Sequence, residues 1–288
     1  MSSDALDGLL AWLALPWSGA ADHAVTAAVA WHGRLMVLAW GVAVPIALLL
    51  ARYFKVTARQ DWPRELDNPF WWHGHRLLNY GAGLLMVAGA GLLLLSDGRA
   101  AVGGIPDIAA NRSHAVHRLV GWVVIGLASL QILGAHLRGS KGGPTAPRLA
   151  TDGSLIDLHG DHFDMTPRRI LFERLHKALG YLLLLLASTA LLLGLNAADA
   201  PRWMVLGLAA WWVALVTVAC VLQVRGRCID TYQAIWGPDP TLPGAGVGPI
   251  GWGVRRRVQR IAERAQFDGG SQLYSTGTRA QEDPLDGY

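Results

Sequence analysis

The feature that most constrains this chain is a set of five long apolar runs separated by charged loops. At about 1.5 Å per residue, a helix made from any of them is long enough to cross roughly 30 Å of hydrocarbon. The 288-residue chain is 52% hydrophobic and only 16% charged, which argues against an ordinary soluble domain. The sequence therefore predicts an all-α membrane protein with five transmembrane helices, at about Val25–Ala51, Trp71–Leu95, Ala115–Leu137, Phe172–Leu195 and Trp203–Val224.

The charges of the loops predict how the chain is oriented. Residues 52–70 and 138–171 carry four and five basic residues, whereas the second and fourth loops carry two and one. Basic loops remain on the cytoplasmic side of a membrane. We therefore expect a multi-pass protein of the inner (plasma) membrane. Its predicted parts are a short extracytoplasmic segment (1–24), a transmembrane domain (25–224) and a cytoplasmic tail (225–288).

The segments outside the five runs have weaker signals. Leu6–Leu15 is too short to span a membrane and is expected to be an interfacial helix. In the tail, "VRRRVQRIAERAQF" predicts a short basic helix that binds anionic lipid or is simply solvated. A nucleic-acid partner is not expected, because this basic patch lies beside a membrane-embedded chain. The tail also contains "CIDTYQAIWGPDP", to which no role is assigned, and Cys220 and Cys228 are expected to be reduced thiols.

The histidines are distributed unevenly along the chain. A single histidine near a membrane surface is usually a polar interfacial residue, but here all four of the first apolar runs begin with at least one. Ionisable groups inside a membrane need a partner. Of the ten histidines, six lie near the start of a predicted span: His32, His73, His75, His114, His117 and His176.

Depth sorts these histidines into two pairs. His32 lies 20 residues before Arg52 and His117 lies 21 residues before Arg138, so both are expected at one level near the outer face. The second and fourth helices run the other way. His75 lies 22 residues before Asp97 and His176 lies 20 residues before Asn196, which places both near the cytoplasmic face. His114 remains an alternative to His117, because residues three apart share a helix face.

Two histidines on facing helices are suited to a haem iron. Zinc prefers three or four protein ligands, whereas a haem leaves two positions for the protein. Gly81, Gly83, Gly89 and Gly91 on the second helix either admit a haem or allow close helix packing. Basic side chains next to the histidines either pair with haem carboxylates or extend to lipid headgroups. These are Arg34, Arg76, Arg118 and Lys177.

The motifs that surround these histidines resemble those of the cytochrome b561 family. They are "HGRLMVLAWGVAVPIALLLARYF", "WWHGHRLLNY", "HRLVGWVVIGLASLQILGAHLRG" and "HKALGYLLLL", in that order over about residues 28–195. The resemblance implies that helices 1–4 form a four-helix di-haem bundle. It also implies two haem b groups per chain, with His32 and His117 on one iron and His75 and His176 on the other.

The resemblance further implies that electrons cross the membrane from a reductant on one side to an acceptor on the other. A ferric chelate or a periplasmic redox protein is an expected acceptor or partner. The other expected partners are membrane lipids, a small-molecule or protein electron donor, and a second copy of the chain in a homodimer.

Two alternative functions remain open. One is a haem-dependent oxidoreductase that acts on quinol or superoxide at one membrane face. The other is a non-redox transporter that uses a His/Arg relay. Two smaller features also allow two interpretations. "IDLHGDHFDM" is a loose metal site or, more plainly, a solvated loop, and His136 is either interfacial or next to the cytoplasmic haem.

Overall fold

The computed structural model describes residues 3–19, 25–96, 112–139, 141–157 and 160–257. Five of the helices in these ranges are long and apolar enough to cross a membrane, which confirms the prediction of an all-α membrane protein. The fourth begins earlier than expected, because Thr166 caps it by accepting a hydrogen bond from the Arg169 amide. The first to fifth spans are Ala27–Tyr53, Phe70–Ser96, Ser113–Leu137, Pro167–Ala197 and Arg202–Val224.

The remaining elements are short and lie outside the spans. A helix forms over Ser3–Ala14, with every side chain at least partly exposed, and its position at a membrane interface stays a prediction. Two short strands pair in antiparallel fashion before the fourth span. These strands are Arg148–Leu149 and Leu155–Asp157. The other short elements are two helices, Asp161–Asp164 and Thr231–Trp236, and a 3-10 turn, Pro243–Gly246.

The spans pack around a core of small and apolar side chains in the middle of the bundle. The first span packs against the second, the third packs against the fourth, and the first also contacts the fourth and fifth. Small residues at these contacts let the backbones approach closely. Leucines on the opposite faces, such as Leu77 and Leu84, are more than 70% exposed, as expected where a helix faces lipid. The core consists of Ala39, Trp40, Ala82, Met86, Val124, Ala128, Leu183, Ala187, Leu191 and Leu208.

A proline in the first span explains how the fifth span is attached. The first span is α-helical over Ala27–Met36, π-helical over Val37–Ala43 and α-helical again over Val44–Tyr53. Pro45 has no amide proton, so it cannot donate to the Gly41 carbonyl four residues earlier. The indole of Trp211 in the fifth span donates to that carbonyl instead, at 3.0 Å. In hydrocarbon no water is present to donate to the free carbonyl, so another group of the protein must donate to it.

One end of the bundle, which we call the basic end, carries a folded cover. This cover is built from residues 54–69, 141–157, 160–166 and 225–257. It contains a buried ion pair between Lys141 Nζ and Asp67 Oδ1, at 2.5 Å, with side chains 7% and 0% exposed. The Tyr232 hydroxyl joins the tail to the preceding loop by donating to the Phe163 carbonyl at 2.9 Å.

The tail is more ordered than its sequence indicates. Residues 227–257, which we call the tail cap, fold against the ends of the spans. Cys228, Ile229 and Ile235 are each 1% exposed. The predicted basic helix is wrong at its start, because Arg255 is extended and pairs with Ile229 in a parallel bridge. The rest of that predicted helix lies outside the described residues.

We predict that Asp67→Asn destabilises the basic end. The amide removes the charge that compensates buried Lys141, and loss of one partner of a buried ion pair costs about 3–5 kcal/mol. Asparagine tolerates the left-handed backbone of Asp67, where φ is 54°. Thermal unfolding in detergent measures the effect.

The matched control for this experiment is Asp61→Asn. Asp61 pairs with Arg64 on the surface, with side chains 65% and 86% exposed, so its loss has little effect. Equal unfolding temperatures for the two variants would contradict the assignment of Asp67 as the residue that holds this cover together.

Candidate functional site

The histidines selected by depth face each other in two pairs. The ring centroids of His32 and His117 are 6.1 Å apart, with the ring planes at 90°. Those of His75 and His176 are 6.3 Å apart, at 71°. The structure thus brings together the residues of each predicted pair, with a similar gap in both. That these rings bind iron stays a prediction.

The two pairs lie at opposite ends of the bundle. In the second span, His75 lies 14 residues before Gly89, whose carbonyl contacts His32. In the fourth span, His176 lies 14 residues before Ala190, whose carbonyl contacts His117. Fourteen residues of α-helix span about 21 Å. In the first span the corresponding separation, from His32 to Ala47, is 15 residues. The π-helical segment between them accommodates the extra residue.

Backbone carbonyls orient three of the four rings. The Nδ1 atoms of His32, His75 and His117 lie 3.0, 3.0 and 2.9 Å from the carbonyl oxygens of Gly89, Ala47 and Ala190. A carbonyl only accepts, so Nδ1 of each neutral ring carries the proton and Nε2 keeps a lone pair. Histidines that bind metals are commonly held in this way.

His176 differs from the other three. Its Nδ1 is buried and, within the described part of the chain, has no hydrogen-bond partner. Its ring stacks on Phe172 at a centroid distance of 5.2 Å. Gln131 of the third span donates to the His176 carbonyl at 2.8 Å, which fixes the backbone but leaves the ring without a polar anchor.

A cavity of about 450 Å³ is lined by both His75 and His176. It reaches from the basic end to Trp40, Ala82 and Met86 in the bundle core. Gly83, one of the four glycines of the second span, also lines it. The volume lies in the range of small-molecule and cofactor sites, about 300–1,000 Å³.

Positive charge is concentrated around this cavity. Burial lowers the pKa of Lys55 to about 8, so the side chain is still mostly charged at neutral pH. Arg169 Nη1 is buried and, among the described residues, has no hydrogen-bond partner. Glu173 is the carboxylate that lines the cavity, and it pairs with both Arg169 and Lys177. The basic lining residues are Arg52, Lys55, Arg76, Arg138, Arg169 and Lys177.

The predicted basic residues are thus divided between two locations. Arg76 and Lys177 line the cavity, but Lys177 is already bound to Glu173 at 3.0 Å. Arg34 and Arg118 are exposed at the other end, where the Arg34 guanidinium stacks on Trp31 at 5.1 Å. Arg52, Lys55, Arg138 and Arg169 were missed as site residues, because in sequence they are ordinary basic residues of the cytoplasmic boundary.

Glycines make room for the rings at the His32–His117 pair. A Cβ atom on Gly194 would lie 2.8 Å from His117 Cε1, and one on Gly89 would lie 2.7 Å from Met36. Gly89 was among the predicted glycines, whereas Gly194 was not. A Cβ on Gly81 or Gly91 would meet nothing within 4 Å, so these two are not required for close approach.

The other histidines occupy varied surroundings. His73 and His114 are exposed, whereas His136 lines the cavity and lies 3.3 Å from the Tyr80 hydroxyl. His23 and His159 lie outside the described residues. His162 contradicts the expectation of a solvated loop, since it is fully buried and burial lowers its pKa. Its Nδ1 accepts from Trp236 at 3.1 Å.

The donor set limits which metal can bind. Across the described residues, no group of three or more His, Cys, Asp or Glu side chains is arranged to hold a metal ion. Paired imidazoles alone therefore suit a metal that brings its own equatorial ligands, as a haem does. Together the fold and the histidines describe an all-α membrane protein with two facing pairs of imidazoles.

Comparison with known proteins gives a partial match. The chain is 29% identical over 109 residues to a cytochrome b561 and DOMON domain-containing protein of Arabidopsis thaliana, and 30% identical over 109 residues to a second protein of that description from the same plant. The match covers 37% of this chain and 23% of each relative. No family model and no solved structure match the chain. The weak similarity supports the resemblance to the cytochrome b561 family.

Proposed function

We propose that the protein carries electrons across a membrane through two b-type haems, each held by a histidine pair. The observation that carries this proposal is the equal gap between the rings, 6.1 and 6.3 Å between centroids. A metal–nitrogen bond of about 2 Å on each side, with roughly 1 Å from each nitrogen to its ring centre, requires about 6 Å. If the imidazoles simply packed against each other, nothing would require a centroid distance of about 6 Å at both pairs.

The surroundings of the pairs support haem over a bare metal ion. The cavity at His75 and His176 is apolar towards the core and positive towards the basic end, as a ring with two carboxylates requires. Arg169 Nη1, which has no hydrogen-bond partner among the described residues, and the Lys55 ammonium provide donors for such carboxylates. At the other pair, Gly194 leaves room for the His117 ring itself.

The ligand set determines the chemistry that these residues permit. A bound haem supplies a reversible one-electron couple. Two histidines leave its iron without an open position, which favours outer-sphere electron transfer over oxygen activation. The chain holds the two sites about 21 Å apart along rigid helices, so no movement of the protein is needed.

The orientation is part of the proposal and rests on loop charge. With the basic end in the cytoplasm, His75 and His176 hold the cytoplasmic haem, and His32 and His117 hold the haem near the outside. The electron donor and acceptor then act on opposite faces, and a periplasmic redox protein or a ferric chelate outside would exchange electrons with the His32–His117 haem.

We predict two haems per chain, measured by pyridine haemochrome against protein concentration. His32→Ala and His117→Ala each remove the same haem, because they lose one of its two protein ligands. His75→Ala and His176→Ala each remove the other. His73→Ala and His114→Ala are matched controls that keep both, since these side chains are exposed. One haem or none in the unmodified chain would overturn the proposal.

We predict that Gly194→Ala perturbs one haem and spares the other. The new Cβ would lie 2.8 Å from His117, so the ring must move from its place on the Ala190 carbonyl. Gly126→Ala in the third span is the control, because its Cβ meets nothing within 4 Å. Low-temperature absorption and electron paramagnetic resonance report the two haems separately. An unchanged signal for both haems would contradict the role of Gly194.

We predict a fixed direction of access in sealed right-side-out vesicles. A reductant that cannot cross the membrane reduces the His32–His117 haem first, and the second haem follows through the protein. His117→Ala blocks this route, whereas inside-out vesicles of that variant still allow the remaining haem to be reduced. Reduction of the His75–His176 haem first, from outside, would mean that the orientation is inverted.

A second candidate function, quinol oxidation, is favoured by the position of Tyr80 and His136. Both line the cavity, both are exposed on the second and third spans, and the Tyr80 hydroxyl lies 3.3 Å from His136 Nε2. A quinol in the membrane could approach the cavity there and find a proton acceptor. Oxidation of a water-soluble quinol by the purified protein, lost in Tyr80→Phe and His136→Gln, distinguishes this function from simple electron transfer.

A further inference from the structure

The tail cap contacts the cavity through its backbone carbonyls. Three of the basic side chains that line the cavity each donate a hydrogen bond to one of these carbonyls, and the three bonds come from two different spans and one loop. The pairs are Lys177 with Ile250 at 2.8 Å, Arg52 with Trp252 at 2.6 Å, and Lys55 with Ile229 at 3.1 Å. The tail therefore fixes where half of the six lining cations point.

The tail cap is itself held together by polar contacts. Arg256 Nε donates to Asp230 Oδ2 at 2.9 Å, and both side chains are largely buried. The Asp230 amide donates to the Arg255 carbonyl at 2.9 Å, which joins the two ends of the segment. Gln223, at the end of the fifth span, donates to the Gly253 carbonyl at 2.8 Å. These contacts make the tail cap a closed loop fixed to the bundle.

The tail cap also forms part of the cavity wall. Cys228, Thr231, Gly251 and Val254 line the cavity directly. Cys228 is 1% exposed, so water has little access to the cavity at this point.

We propose that the tail cap is a wall of the cofactor site at the basic end. In this role it holds Arg52, Lys55 and Lys177 against the cofactor and keeps bulk water from it. The proposal rests on the proposed function and extends it to the tail. Positive charge and burial near a haem both favour its reduced form and so raise its reduction potential. Opening the tail cap therefore lowers the potential of the His75–His176 haem alone.

One glycine pair in the tail cap provides a test and its control. A Cβ on Gly244 would lie 2.6 Å from Met165 and would overlap the Tyr232 ring. The Gly244 amide also donates to the Tyr232 hydroxyl at 3.0 Å. A Cβ on Gly246, two residues further along the same 3-10 turn, meets nothing within 4 Å. Gly244→Ala thus forces the tail cap to shift, and Gly246→Ala does not.

The first measurement does not depend on haem. In a Cys220→Ser background, the full chain in detergent reacts with a maleimide only at Cys228. We expect Gly244→Ala to react faster by about fivefold or more, because overpacking of about 1–3 kcal/mol shifts a local opening equilibrium by at least that factor. Gly246→Ala reacts at the starting rate. Equal labelling rates of Cys228 in the Cys220→Ser chain and its two glycine variants would overturn the proposal that the tail cap closes the cavity.

The second measurement is a redox titration of both haems. We expect Gly244→Ala to lower the potential of the His75–His176 haem, leaving the other unchanged, and Gly246→Ala to change neither. Faster labelling with unaltered potentials would overturn the proposal and leave the proposed function intact. A starting chain without haem would overturn the proposed function, while the labelling rates would still decide whether the tail closes the cavity.

A milder variant covers the case in which Gly244→Ala fails to fold. Tyr232→Phe keeps the ring but removes the hydroxyl that accepts from Gly244 and donates to Phe163. We expect the same two changes at smaller size, a severalfold rise in Cys228 labelling and a lower potential of the His75–His176 haem. Wild-type values of both would overturn the proposal.

Discussion

A neutral imidazole inside a helix bundle must give its Nδ1 proton to an acceptor, because no water is present in hydrocarbon to receive it. At three of the four paired histidines the acceptor is a backbone carbonyl of a neighbouring span. Helical carbonyls are already bonded along the helix, so each accepts the imidazole proton with its second lone pair. These contacts orient the three rings, and they leave Nε2 of each with its lone pair.

Much of this arrangement could be predicted from the sequence. Apolar length gave the five spans, and counting residues from each histidine to the next boundary charge gave the two pairs, since α-helical rise is constant. The count is off by one residue in the first span, where the π-helical segment Val37–Ala43 adds a residue between the two levels. Pro45 and Gly41 are its local signal, but the donor that completes it, Trp211, lies 170 residues away.

The cover of the basic end could not be predicted in the same way. Its contacts join segments far apart in sequence, such as Asp67 with Lys141 and Ile229 with Lys55. Each basic residue, taken alone, matches the ordinary charge of a cytoplasmic loop. One signal was present: apolar residues at spacings of three in "CIDTYQAIWGPDP", such as Ile229, Tyr232 and Ile235, are typical of a buried helical turn. All three are at most 2% exposed.

The two ends of the bundle differ in electrostatics, and the difference bears on the direction of electron flow in the proposed function. At the basic end, the described residues that line the cavity include six cations and one carboxylate, and cations such as Lys55 and Arg169 are buried, so solvent screens their charge less than at the surface. At the other end, Arg34 and Arg118 are exposed, where solvent and salt screen them. Two haem carboxylates would neutralise only part of the excess at the basic end. The haem there should therefore have the higher potential, so that electrons entering near His32 and His117 move downhill towards His75 and His176.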